Sequence, residues 1–310
     1  MHKILITTSS FAKYDPSLID NIKGLNLNIV INPFARKLTE SEVSDLIKQH
    51  QPVGIIAGIE PLTKNVLHKA KSLKVISRCG IGLDTVDIEA AKELGISVTN
   101  TPDAPTISVA ELTLGLILTL MRRIHISDTS IRNGKWSRPM GSLLHRKTVG
   151  IIGCGRIGSK LAELLAPFEC KILGYDVIQK KMRNCKMVSL DEILCDADII
   201  SLHLPYSPET HHFIDAKRID KMKRDEILIN AARGGLVDEH ALYSALKGSH
   251  IAGAAIDCFE KEPYSGPLKE LDNVVLTGHI GSYAREGRML MEKQSADNLI
   301  KSLREKGVIA

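Results

Sequence analysis

Val149-Gly150-Ile151-Ile152-Gly153-Cys154-Gly155-Arg156-Ile157-Gly158 begins as an apolar, β-branched run and breaks into glycines spaced GxGxxG. A helical stretch, Ser159 to Ala166, follows it, and Tyr175-Asp176 ends the next strand-like run, 18 residues after Gly158. Alone, the glycine spacing is a weak signal; strand before, helix after and acid at this distance make it a strong one. Gly153 allows a tight turn, Gly155 lets a pyrophosphate approach the backbone, and Gly158 lets helix and strand pack closely. The helix N-terminus presents unpaired N–H groups and a partial positive charge to that anion. Asp176 is suited to accept hydrogen bonds from ribose hydroxyls and to repel a 2′-phosphate, which favours NAD over NADP. Lys180 and Lys181, a few residues on, are the nearest cations that could oppose that preference.

Outward from this loop, short β-branched runs alternate with helical patterns in two series. Lys3–Thr7, Leu27–Ile31, Val53–Ala57, Val75–Arg78 and Ser97–Thr99 read as strands of the first. Val149–Ile152, Lys171–Tyr175, Asp198–Leu202, Glu226–Asn230, Gly253–Asp257 and Val274–Thr277 read as strands of the second. This rhythm predicts parallel sheets with crossover helices, an α/β protein of two doubly wound domains. Thr39-Glu40-Ser41-Glu42 reads as a capped helix start, Ser108 to Gly134 as one long helical stretch, and Tyr283 to Lys306 as an amphipathic helix. The 310 residues exceed what one hydrophobic core usually serves, which agrees with two domains.

Composition excludes several classes. With 44% hydrophobic residues the chain is not disordered, and 41 Lys and Arg against 36 Asp and Glu give a net charge of only +5. The basic stretches Lys180-Lys181-Met182-Arg183 and Lys221-Met222-Lys223-Arg224 are short, so no nucleic-acid footprint is present. The apolar segment Leu112 to Met121 is too short to span a bilayer, and Met1-His2-Lys3 leads straight into a strand, so neither membrane nor signal peptide is expected. Six dispersed cysteines fit reduced thiols in a cytoplasmic protein and no metal site.

Reduction of a 2-oxo acid by a nicotinamide needs a cation for the substrate and a group that gives the carbonyl a proton. Histidine suits the second task, and a neighbouring carboxylate fixes its tautomer. Arg233 in Asn230-Ala231-Ala232-Arg233-Gly234-Gly235, Glu262 in Asp257-Cys258-Phe259-Glu260-Lys261-Glu262-Pro263, and His279 in Thr277-Gly278-His279-Ile280-Gly281 follow three successive strands of the second series. Strand ends are where open α/β sheets bind ligands. Each residue alone has an ordinary reading as a turn arginine, a solvated acid or a structural histidine; the three together do not.

Residues 230–239, 257–263, 277–282 and 149–158, with 77–87 and 106–112, resemble the D-isomer-specific 2-hydroxyacid dehydrogenases over nearly the whole chain, and within them the phosphoglycerate dehydrogenases most. The resemblance implies a Rossmann NAD-binding domain, residues 101–283, inserted into a flavodoxin-like substrate domain, residues 1–100 plus 284–310. It implies His279 as proton donor, Glu262 as its partner and Arg233 as substrate anchor. Asp257 would face the nicotinamide amide. Arg156, Ile157 and Asp176 would lie along pyrophosphate and ribose, and Thr106, Pro205, Ala231, Ala232, Gly281 and Ser282 along the cofactor. Arg78, Cys79 and Gly80 would bind substrate, with Arg138 of the partner subunit as a further cation. A homodimer would form through residues 108–146. The leading substrate is 3-phosphoglycerate. Because Ala57-Gly58-Ile59-Glu60-Pro61 lacks the arginine common there in that subgroup, glyoxylate or hydroxypyruvate reduction is the alternative. A different class, an NAD-sensing corepressor-like interaction module, would retain the same residues.

Overall fold

The computed structural model describes residues 1–178 and 182–310; Lys180 and Lys181 lie outside the described residues. It divides into two compact units, Met1–Pro105 with Tyr283–Ala310, and Thr106–Ser282. The first boundary falls later than the expected residue 100 for a local reason. Asn100 Nδ2 donates to Ile81 O at 2.8 Å and Thr101 N donates to Gly80 O at 3.0 Å, which holds the segment to the first sheet.

The first unit contains β1 (Lys3–Ile6), β2 (Asn28–Ile31), β3 (Gly54–Ala57), β4 (Val75–Arg78) and β5 (Ser97–Thr99). All pair in parallel in the order β2-β1-β3-β4-β5, the flavodoxin-like arrangement. Every residue of β3 and β4 is buried, because helices cover both faces of such a sheet. Alternation along the strands places Leu5, Ile55 and Ile76 in one core and Ile4, Ile6, Ile56 and Val75 in the other. Helix Glu40–His50 starts as expected: Thr39 Oγ1 accepts from Glu42 N, and Glu42 Oε2 accepts from Thr39 N at 2.8 Å.

Helix Arg285–Glu305 packs on β3, β4 and β5 of this unit. Its buried face is less apolar than an amphipathic reading implies. Besides Met291, Leu299 and Leu303 it buries Arg288 and Glu292, paired at 3.1 Å. Arg288 also donates to Ser10 Oγ at 2.8 Å, and Glu292 accepts from Ala12 N at 2.9 Å. The buried charges are thus satisfied by the loop after β1, as burial requires.

The second unit contains β6 (Thr148–Ile152), β7 (Lys171–Tyr175), β8 (Cys185–Met187), β9 (Ile199–Leu202), β10 (Ile227–Asn230), β11 (Gly253–Ile256) and β12 (Val274–Leu276). The parallel order is β12-β11-β10-β9-β6-β7-β8, so strand order reverses beside β6 as in a Rossmann fold. β8 has only three residues and no apolar alternation, and the sequence does not announce it. The expected single helix over residues 108–134 is two helices, Thr106–Met121 and Ile124–Arg132. Arg123 has φ 50°, and Ser142 N takes the Met121 carbonyl at 2.8 Å, which a continuing helix would have used itself.

Glu226, fully buried at the entry to β10, accepts from Lys223 N at 2.9 Å. Burial pushes its carboxyl up to about 8, although Lys223 opposes the shift. The folded chain therefore keeps a proton that the unfolded chain loses above about pH 4.5. Stability contributed by this group falls as pH rises from that value through 8. Glu226→Gln keeps an acceptor for Lys223 N and removes the titration. Its thermal midpoint should match the parent near pH 4.5 and exceed it by several degrees at pH 8, read by circular dichroism.

Candidate active site

The glycine loop is shaped by close approaches of backbone. Gly153 has φ 98° and donates from N to Tyr175 O at 2.8 Å, and a Cβ there would meet the His203 carbonyl at 2.6 Å. A Cβ on Gly158 would fall 2.2 Å from Gly153 O, so helix Arg156–Leu165 can sit this close to β6 only with glycine. Gly155 differs: it precedes that helix without a side-chain cap, and a Cβ there meets nothing within 4 Å. Open space thus stands over uncapped N–H groups. Asp176 closes the loop from β7, accepting from Cys154 N at 2.8 Å and Ile178 N at 3.0 Å. Arg156 is exposed and Ile157 half-buried at the first helical turn. Pro205 is exposed after β9, its carbonyl accepting from Thr210 Oγ1 at 2.9 Å. The Thr106 hydroxyl is buried and meets no partner among the described residues, which suits a ligand acceptor.

The second group of residues is organised around Asp257, at the end of β11 and wholly buried. Its carboxylate accepts from Thr277 Oγ1 at 2.6 Å, Ile280 N at 2.8 Å and Gly281 N at 2.9 Å. Its carbonyl accepts from His279 N at 2.8 Å. The loop after β12 is therefore clamped, and His279 is held at φ 55°, a conformation few non-glycine residues adopt. The expectation that Asp257 faces the cofactor amide takes no account of these bonds, by which its carboxylate also holds the loop that carries His279.

His279 Nδ1 lies 2.9 and 3.1 Å from the two Glu262 oxygens, with both side chains partly exposed. Glu262 also accepts from Phe259 N at 3.2 Å, so backbone fixes the acid that fixes the imidazole. Among the described residues, no hydrogen-bond partner meets Nε2. Arg233 follows β10 and donates to its neighbour Ala232 O at 2.7 Å, while Asn230 holds the turn through Ala232 N and Arg233 O. The turn abuts the Glu262 loop so closely that a Cβ on Gly234 would lie 1.9 Å from Phe259 O. Arg233, Glu262 and His279 are thus set on three adjoining strand ends. Ala231 is buried, Ala232 half-buried, Gly281 buried and Ser282 half-buried beside them. The sequence reading overlooked Cys258, whose sulfur, with Glu262 and His279, places three potential ligand atoms within 4.8 Å.

The residues expected to bind substrate from the first unit are Arg78, which ends β4, and Cys79 and Gly80, which follow it. Arg78 is buried and turns back to donate to Cys79 O, lying over Gly80, which has φ 148°. Burial raises the Cys79 thiol, with Arg288 and Arg78 opposing. Arg138 is an exposed residue of the second unit.

A glycine loop at the switch point of a parallel sheet, with a carboxylate three strands and a histidine four strands along the same edge, is the layout of a dinucleotide-binding domain that carries acid–base groups beside its cofactor loop. Residues 114–281 match the D-isomer specific 2-hydroxyacid dehydrogenase NAD binding domain. D-3-phosphoglycerate dehydrogenase of Methanocaldococcus jannaschii is 42% identical over 98% of this chain, which spans 58% of that relative's length. Glyoxylate reductase of Thermofilum pendens is 43% identical over 79% of the chain and 76% of its own. The crystal structure of D-lactate dehydrogenase from Aquifex aeolicus, complexed with NAD and lactic acid, superposes with a TM-score of 0.85 at 32% identity, covering 98% of this chain and 96% of that one. The chain belongs to the D-isomer specific 2-hydroxyacid dehydrogenase family.

The open space at Gly155 makes a clean test of the cofactor loop. Gly155→Ala should fold with an unchanged thermal midpoint and bind NADH at least ~10-fold more weakly, measured by quenching of NADH fluorescence.

Proposed function

We propose that this protein oxidises a D-2-hydroxy acid with NAD, or reduces the corresponding 2-oxo acid with NADH. The observation that carries the reading is the Glu262–His279 pair, fixed by Asp257 on the strand ends of an NAD-binding domain. NAD supplies the hydride acceptor, and Gly153, Gly155, Gly158 and Asp176 are the residues that would hold it. Glu262 on Nδ1 sets the imidazole tautomer and stabilises its protonated form, leaving Nε2 to give a proton to the substrate oxygen at C2 or take it back. Arg233 holds the substrate carboxylate and polarises the carbonyl, a task suited to its planar donor fork.

3-Phosphoglycerate is the leading substrate, supported by the identity to the Methanocaldococcus jannaschii enzyme along nearly the whole chain. Glyoxylate or hydroxypyruvate is the second reading, favoured by one specific residue. Glu60, after β3, is 1% exposed and bonded to Thr7 Oγ1 and Gly58 N; burial raises its carboxyl despite Arg78 nearby. An acid here gives no charge partner to a phosphate. A corepressor-like role predicts NADH binding without turnover.

His279→Asn should lower turnover by at least ~10²-fold with NADH affinity preserved, followed by NADH absorbance on a panel of 2-oxo acids. Near-normal turnover, or none on the whole panel by the parent chain, would remove the assignment. The exposed apolar side chains Ile131, Trp136, Met140 and Leu143 support a homodimer through this region. Met140→Glu should shift the mass in solution from dimer to monomer by light scattering.

A further inference from the structure

β7 carries Gly174 next to its last residue, and three sulfur atoms converge on the space where a side chain would stand. A Cβ there would lie 2.7 Å from Cys185 Sγ, 2.9 Å from Cys154 Sγ and 2.9 Å from Met187 Sδ. Cys185 and Met187 are alternate residues of β8, so they share a face; Met187 pairs with Gly174 itself. Cys154 comes from the other side of β7, out of the glycine loop that follows β6. A glycine within a strand weakens a sheet and often marks the close approach of another group. Here that group is a sulfur nest.

The two thiols interact. A hydrogen bond to Cys154 draws the Cys185 thiol down, and the same contact, with burial and Asp176, pushes Cys154 up. Cys154 is buried, while Cys185 and Met187 are half-buried, leaving a route in from β8.

We propose that Cys154, Cys185 and Met187 form a binding site for a soft monovalent d10 cation of the copper(I) class. Two thiols and a thioether are the donor set that selects such an ion over hard cations. Zinc favours four ligands of nitrogen and sulfur in a tetrahedron. Among the described residues the one three-ligand His/Cys/Asp/Glu group is that of Cys258, Glu262 and His279. A direct disulfide would need the sulfurs at about 2.05 Å. Cys154 and Cys185 reach over Gly174 from opposite flanks of β7, and an ion held between them joins the two sulfurs without the oxidant that a disulfide needs. On binding, thiol protons leave to solvent as sulfur–metal bonds form, and the copper keeps its oxidation state.

The site adjoins the cofactor loop through one bond: Cys154 N donates to Asp176. An ion that repositions Cys154 therefore weakens NADH binding. This consequence rests on the NAD reading above; the metal site itself does not.

The test is anaerobic competition for copper(I) between the whole chain and bicinchoninate, read by the loss of the coloured chelate. The wild type should take one ion per chain. Cys185→Ser and the isosteric Met187→Leu should each weaken binding at least ~10-fold, and Cys195→Ser, at an exposed cysteine, should not. Copper(I) should weaken NADH binding in the wild type and have no effect on it in Cys185→Ser. Failure of the wild type to compete, or unchanged affinity in both Cys185→Ser and Met187→Leu, overturns the site. So does a mass two hydrogens lighter with no ion retained, which means a disulfide. Copper binding without any effect on NADH overturns the coupling alone, and loss of NADH binding by the metal-free parent overturns the NAD reading.

Discussion

One buried carboxylate governs the geometry of the loop that carries His279 in the second unit. Asp257 has no solvent exposure, so each of its oxygens must find donors within the fold. It finds a threonine hydroxyl and two backbone N–H groups in the loop after β12, and that choice leaves His279 little freedom. Glu262 then meets an imidazole already in place, which lowers the entropy cost of keeping the pair assembled. Replacing Asp257 by alanine would strand three donors that now have a partner. The placing of His279 thus depends on a residue buried beneath the loop that carries it.

Steric exclusion does for the cofactor loop and the arginine turn what hydrogen bonding does for the histidine. Gly158 and Gly234 each sit where a methyl group would overlap a carbonyl oxygen, at 2.2 and 1.9 Å. These contacts set the separation between helix and strand in one case and between two strand-end loops in the other. Gly155 has no such neighbour. Its glycine is unexplained by packing and is understood only through what approaches from outside.

Much of this was legible in the sequence because parallel strands buried on both faces write themselves as short β-branched runs. Both sheets follow from that rhythm, and the positions of Gly153, Gly155, Gly158, Glu262 and His279 follow from motif spacing. What the sequence concealed depended on contacts between distant segments. β8 is too short to show a period, and the break at Arg123 is created by Ser142 capturing a carbonyl. The hold of Asp257 on residues 277–281 could not be seen from its motif, where it reads as one more acid after a strand. The polar face of the last helix was hidden likewise, since Arg288 and Glu292 are buried only because Ser10 and Ala12 receive them.

That last helix also orders events in time. The second unit is one uninterrupted run, Thr106–Ser282, whereas the first is assembled from residues 1–105 and a tail 177 residues later in synthesis. Until Arg285–Glu305 leaves the ribosome, Ile4, Ile6, Ile56 and Val75 lack part of the apolar layer that covers them, and Ala12 N waits for its acceptor. The earliest-made sheet is therefore the last to be finished. During that interval its uncovered apolar face is open to association with other chains.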